Sequence, residues 1–179
     1  MGRTAILPFL ALALACGDTP LQPTEDLAPD AVAQAKAAKT PFASQLTLVG
    51  PVEPGDVRIS HSGVLHGTDL VNEFAMTGDL VGSWFFIGKY HINPNNGKGR
   101  SIGNPGLVVI TSPMVGTFEC KGGGKIENWP TDDFIQYGNQ RGCKGTGDYE
   151  GMRMKARISN EANPGLGAGA IYDLWGEIW

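Results

Sequence analysis

The chain has 179 residues, of which 41% are hydrophobic and 18% charged, with a formal net charge of −4. This composition excludes an intrinsically disordered chain, and the acidic balance without any Lys/Arg cluster excludes a phosphate-backbone partner such as nucleic acid. Its 26 glycines and 12 prolines predict frequent turns around one modest core, in a single domain with a tether.

At the start, Arg3 precedes an apolar run from Ala5 to Ala15, and Cys16 then opens the polar stretch Gly17-Asp18-Thr19-Pro20. A basic residue, a short apolar segment and small residues at its end form the layout of a secretory signal peptide. The run is too short to span a bilayer, which takes about 20 apolar residues. With Leu12-Ala13-Leu14-Ala15 before it, Cys16 resembles the cysteine of the lipobox in bacterial lipoprotein signal peptides. The resemblance implies removal of residues 1–15, lipid attachment at Cys16, and a membrane-anchored protein of the bacterial cell envelope facing the periplasm or the exterior. Ala13 departs from the family, which usually has Leu there. The competing reading is an ordinary secretory signal followed by an unrelated cysteine. Residues 16–42, rich in Ala, Pro, Thr, Gln and Asp, lack the large apolar groups a core needs and are predicted to be a flexible tether.

From residue 43 to residue 179 the texture is that of antiparallel all-β structure: short β-branched and aromatic runs between Gly, Asn, Asp and Pro clusters. Nine strands are predicted, at Gln45–Gly50, Val57–His66, Leu70–Thr77, Ser83–Ile92, Leu107–Thr111, Gly116–Lys121, Phe134–Tyr137, Gly151–Ser159 and Ala170–Ile178. The clearest is Met152-Arg153-Met154-Lys155-Ala156-Arg157-Ile158, whose strict alternation gives one buried and one wet face. Asn96-Gly97 marks a hairpin tip. The pattern T-G-D-x-x-G occurs at Thr77–Gly82 and again at Thr146–Gly151, predicting equivalent corners of a barrel or sandwich.

The stretches Gly116–Glu119, Gly145–Met152 and Tyr172–Ile178 resemble bacterial domains related to the allene-oxide-cyclase and dirigent β-barrels. In such domains G-x-G-x-x-x-G turns precede late strands, and the last strand ends in an aromatic G-x-I. The resemblance implies a single antiparallel barrel of about eight strands with an apolar cavity, lipocalin- or allene-oxide-cyclase-like. A β-sandwich is the second choice. No catalytic residue transfers with it.

With Cys16 assigned to lipid, Cys120 and Cys143 remain as one pair in a disulfide-permissive compartment, flanking a Gly-rich excursion. Two free buried thiols are the alternative. No CxxC or HxxxH supports a metal, and no Walker, Rossmann, G-x-S-x-G or HExxH motif supports a cofactor or a familiar catalytic centre. His61 shares parity with Val57, Ile59 and Leu65, so it is expected to face the interior. Trp84, Phe86 and Tyr90 also share one parity. These four are the candidate ligand-binding residues. Trp129, Asp132, Asp133, Tyr137 and Arg141 form a candidate recognition loop. Asp173 and Glu177, four apart on a strand, stand about 13 Å apart, too far for a glycosidase pair. The expected function is binding of a small apolar ligand or an envelope protein, without catalysis; the alternative is a cavity enzyme of isomerase, cyclase or hydrolase type.

Overall fold

The computed structural model describes residues 38–179, the side chains of residues 104 and 105 excepted. The signal peptide, Cys16 and most of the proposed tether lie outside the described residues. Nine antiparallel strands make up the fold: β1 (Thr40–Glu53), β2 (Asp56–Ile59), β3 (Leu65–Gly78), β4 (Val81–Asn93), β5 (Lys98–Ser112), β6 (Gly116–Glu127), β7 (Ile135–Gly147), β8 (Arg153–Ser159) and β9 (Ile171–Ile178). Neighbours in sequence pair from β3 through β9, and β1 closes the ring by pairing with β9 on one side and β3 on the other. The result is the expected closed eight-stranded barrel, in which β2 continues beyond β1 and extends the wall by pairing with β3 alone.

Alternation along the strands builds the core. Met154 and Ala156 point inward while Arg153, Lys155 and Arg157 face water. The same period buries Phe42, Ser44 and Leu46 on β1. Phe42 draws the chain into the sheet from Thr40, so the barrel begins three residues before the boundary expected at residue 43. Most buried side chains gather in one half of the barrel, around Trp84, Val108, Ile110, Phe118, Met154 and Leu174. A smaller cluster of Ile92, Ile126 and Phe134 caps the other end.

Two expectations need correction. Val57–His66 is not one strand: Ser60 N donates to Val64 O, Gly63 N donates to Ser60 O, and Gly63 takes a φ of 81°, so a turn separates β2 from β3. The parity that placed His61 inside does not carry through a turn. His61 lies exposed within it. Nor is the segment between Cys120 and Cys143 a loop. Its glycines continue β6 to Glu127 and start β7 at Ile135, leaving only residues 128–134 as a connection.

Both T-G-D corners lie at the packed end, and they are alike in detail. Asp79 Oδ2 accepts from Ala43 N at 2.8 Å while Asp79 N donates to Ala43 O at 3.0 Å. Asp148 Oδ2 accepts from Val115 N at 2.9 Å while Asp148 N donates to Val115 O, also at 2.9 Å. Each aspartate thus clamps a neighbouring segment instead of bonding its own turn. At the other end the 93–98 hairpin tip, whose Asn93 and Asn96 side chains accept from the amides of Asn95 and Lys98, docks against the β6–β7 connection. There Trp129 N donates to Gly97 O at 3.1 Å.

Cys120 and Cys143 are bridged, on adjacent strands and inside the core, with their Cα atoms 4.0 Å apart. The bond sits where the β6–β7 register slips between Glu119 and Lys121. It fixes a bulge that the ladder itself leaves unpaired.

Candidate functional site

A cavity of about 330 Å³ lies between the two clusters. Its floor is the top of the packed half, formed by Trp84, Phe74 and Tyr172, which belong to both. Phe74 and Tyr172 meet edge to face with ring centroids 5.4 Å apart. The walls rise through Phe86 and Tyr90 to Ile92, Ile126, Phe134 and Trp129.

The mouth is where the wall parts. β1 leaves β9 after Thr47, and the Leu48–Ala170 and Gly169–Leu48 hydrogen bonds end the contact. Beyond them Pro51 and Pro54 on one side face Leu166 and Gly167 on the other, and all four are exposed cavity-lining residues. Val57 and Ile59 on β2 are 56% and 71% exposed, although they pair with Gly67 and Leu65 of the inner face. Among the described residues β2 has no strand on its other edge; Pro51, Pro54 and Leu166 make the opening apolar.

Glycine shapes the interior. A Cβ on Gly67 would collide with the Tyr90 ring, and one on Gly103 would come within 2.8 Å of the Phe86 ring. Each aromatic therefore lies flat over a glycine of the next strand, widening the lumen at the cost of glycine's lower strand propensity. The wall leans on Gly122 in the same way, beneath Gln140.

The polar groups in the lining are few. Gln136 donates from Nε2 to Ser101 Oγ at 3.1 Å, and Asn72 and Gln140 complete the set of side-chain amides. Among the described residues no Asp, Glu, Lys, Arg or His lines the cavity. Burial pushes the Tyr172 phenol up to about 12. Because the folded protein holds this phenol protonated above its ordinary value of 10.0, the associated stability is fully present below pH 10 and fades as pH rises toward 12. A spectrophotometric tyrosine titration is expected to show a phenol that ionises only near pH 12 or on unfolding, and that is lost in Tyr172→Phe.

The sequence-predicted residues separate accordingly. Trp84, Phe86 and Tyr90 line the cavity together; His61 does not reach it. The candidate recognition loop disperses. Trp129 belongs to the cavity rim, Asp132 and Asp133 sit exposed on the connection, and Arg141 is exposed on the outer wall of β7. Tyr137 contributes to the wall, but its hydroxyl donates to Glu127 at 3.0 Å and Lys125 lies over its ring at 5.8 Å. That ring shares the outer face with Lys125, its cross-strand partner. Asp173, Trp175 and Glu177 also face outward, Glu177 pairing with Lys39 at 2.7 Å.

Sequence reasoning missed Phe74, Gln136, Gln140, Ile158 and Tyr172. The last two sit at inward positions of predicted strands, so parity was available as a signal; Gln140 lay in a stretch read as loop. The contact between His66 and His91, with ring centroids 4.5 Å apart, was likewise hidden, because it is made across β3 and β4. Burial, then the positive charge of His66, Arg100, Lys89 and Arg58, holds His91 below its ordinary value. Among the described residues no group of three or more potential metal ligands comes together.

No protein-family model matches the chain, and no curated protein or solved structure is significantly similar to it.

Proposed function

We propose that this protein binds a small, uncharged, mostly apolar molecule inside its barrel and performs no chemistry on it. One observation carries the reading: a cavity of about 330 Å³ with an apolar mouth and, among the described residues, no charged side chain in its lining. A charged ligand would lose its hydration there without gaining a counter-charge, a cost far above what apolar contact returns. An apolar cavity of roughly 150 Å³ accommodates a molecule of benzene size, so this one suits roughly 12–15 non-hydrogen atoms. Among the described residues the ionisable side chains in the lining are tyrosine phenols, with no carboxylate, imidazole or amine in the lining to form an acid–base pair with them.

The test is to fill the space. Ile158 lines the cavity opposite Gly138, and Ile158→Trp is expected to occupy much of the lumen. Binding of naphthalene-sized probes should fall at least tenfold, with thermal stability close to that of the unaltered protein. Undiminished binding would place the ligand elsewhere.

The same proposal places the barrel at a bacterial envelope, held through lipid on Cys16. It is supported by the lipobox-like run ending at that residue and by the pairing of the other two cysteines with each other. Two acyl chains hold a protein stably where one does not. Cys16→Ser is therefore expected to move the protein from the membrane to the soluble fraction on centrifugation, with the barrel still folded.

A further inference from the structure

Positive charge gathers on one outer wall of this acidic protein. β4 and β5 contain no carboxylate, whereas Lys89, Lys98 and Arg100 project from them into solvent. β6 adds Lys121 and Lys125, also exposed. Strand register assembles what the sequence leaves scattered: Arg58, His66, His91, Arg100 and Lys125 are successive cross-strand partners from β2 to β6. Arg100 and Lys125 stand directly opposite each other, a pairing of like charges that destabilises a sheet. Little answers them. Glu119 and Glu127 stand toward the two ends of β6, where Glu127 accepts from the Tyr137 hydroxyl, and Asp56 and Asp69 lie on β2 and in the β3 bulge. The ion pair found among the described residues, Lys39–Glu177, belongs to the β1 and β9 side.

We propose that the outer wall formed by β4, β5 and β6 docks against a bilayer of anionic phospholipid, with Lys89, Lys98, Arg100, Lys121 and Lys125 among the headgroups. Neighbouring strands lie about 4.8 Å apart, so three of them can meet one plane. Between the cations the outward positions are held by Ile102 and its partner Gly123, too little apolar surface for the core of a protein interface. An anionic bilayer asks for no pocket and no matched shape, only for cations within about a Debye length of its surface. Closure of the barrel then sets where the mouth points. In the ring β1-β3-β4-β5-β6-β7-β8-β9, β5 and β6 stand across from β9 and β1, between which the wall parts. The docked barrel therefore turns its mouth away from the lipid and toward water. Docking of the wall does not depend on what the cavity holds.

Vesicle binding by the full chain carrying Cys16→Ser, which acyl lipid cannot anchor, provides the test. Its affinity for vesicles of equal parts phosphatidylglycerol and phosphatidylcholine is expected to exceed that for phosphatidylcholine alone by roughly tenfold or more at about 0.1 M salt, and the ratio should shrink as salt rises. An apolar contact of the N-terminal run with either bilayer leaves that ratio unmoved. Adding Lys89→Gln, Arg100→Gln and Lys125→Gln should remove most of it. Adding instead Lys144→Gln, Arg153→Gln and Lys155→Gln, which take the same charge from exposed positions of β7 and β8, should leave it in place. Equal losses in the two triple variants would trace the preference to net charge and overturn the inference, as would equal affinity of the Cys16→Ser chain for both kinds of vesicle. Binding of polyglutamate or an oligonucleotide in preference to anionic vesicles would make the occupant an acidic chain, and overturns it as well.

Discussion

Replacing Trp84 with alanine is expected to lower the unfolding free energy by about 3–5 kcal/mol, the range for truncating a large buried aromatic. Trp84 is 1% exposed and stands in register between Phe74 on β3 and Val108 on β5, both buried. Its ring is at once the top of the packed half and the floor of the cavity. Neighbours cannot collapse into the gap, because the closed ladder on either side holds their strands apart. The void therefore joins the existing lumen instead of disappearing. Urea denaturation measures the loss; a change below about 1 kcal/mol would mean that the floor repacks, against the expectation for a rigid wall. Trp84→Ala should also accept probes larger than the unaltered protein does, a gain that simple destabilisation would not produce.

The second large effect is expected from the disulfide. Replacing Cys120 and Cys143 together with alanine should cost about 3.5 kcal/mol, from the entropy of closing a loop with a sequence separation of 23 in the unfolded chain. Alanine is the suitable replacement because both positions are fully buried, where serine would add an unpaired hydroxyl. Urea denaturation of the double variant, beside the unaltered protein with and without a reducing agent, checks the figure. The reduced protein and the double variant should lose similar stability. A loss confined to the reduced protein would point to two buried thiols repelling a tight wall, and not to chain entropy.

The order and number of the strands were legible because turns announced them. Asn96-Gly97, the two T-G-D corners and the alternation of Met152–Ile158 each put a local chemical preference where the fold uses it. The glycine-rich halves of β5, β6 and β7 were not legible. Glycine marks turns when judged alone, and at Gly103 and Gly122 it serves a partner on the adjacent strand, Phe86 or Gln140, which sequence spacing does not reveal. The candidate site was legible to the same extent. Parity collected Trp84, Phe86 and Tyr90 from a single strand, whereas His61 was misplaced because a four-residue turn passed for continued strand. Gln140 was hidden because the strand predicted at Phe134–Tyr137 was stopped short, while β7 runs on to Gly147.

The paired aspartate corners carry a dynamic consequence. Each ties two segments through both a side chain and a backbone amide, and both corners belong to the packed end. The mouth end has instead a wall that parts after Leu48 and a strand, β2, bonded among the described residues along one edge only. Thermal opening is therefore expected to be one-sided, as in a cup with a firm base and a looser lip, and amide hydrogen exchange should be faster in β2 and between Pro51 and Pro54 than at the two aspartate corners. If the barrel binds a ligand as proposed, exchange is expected to need only movement of the lip, at a free energy below that of global unfolding, so that a molecule enters and leaves many times within the life of one folded chain.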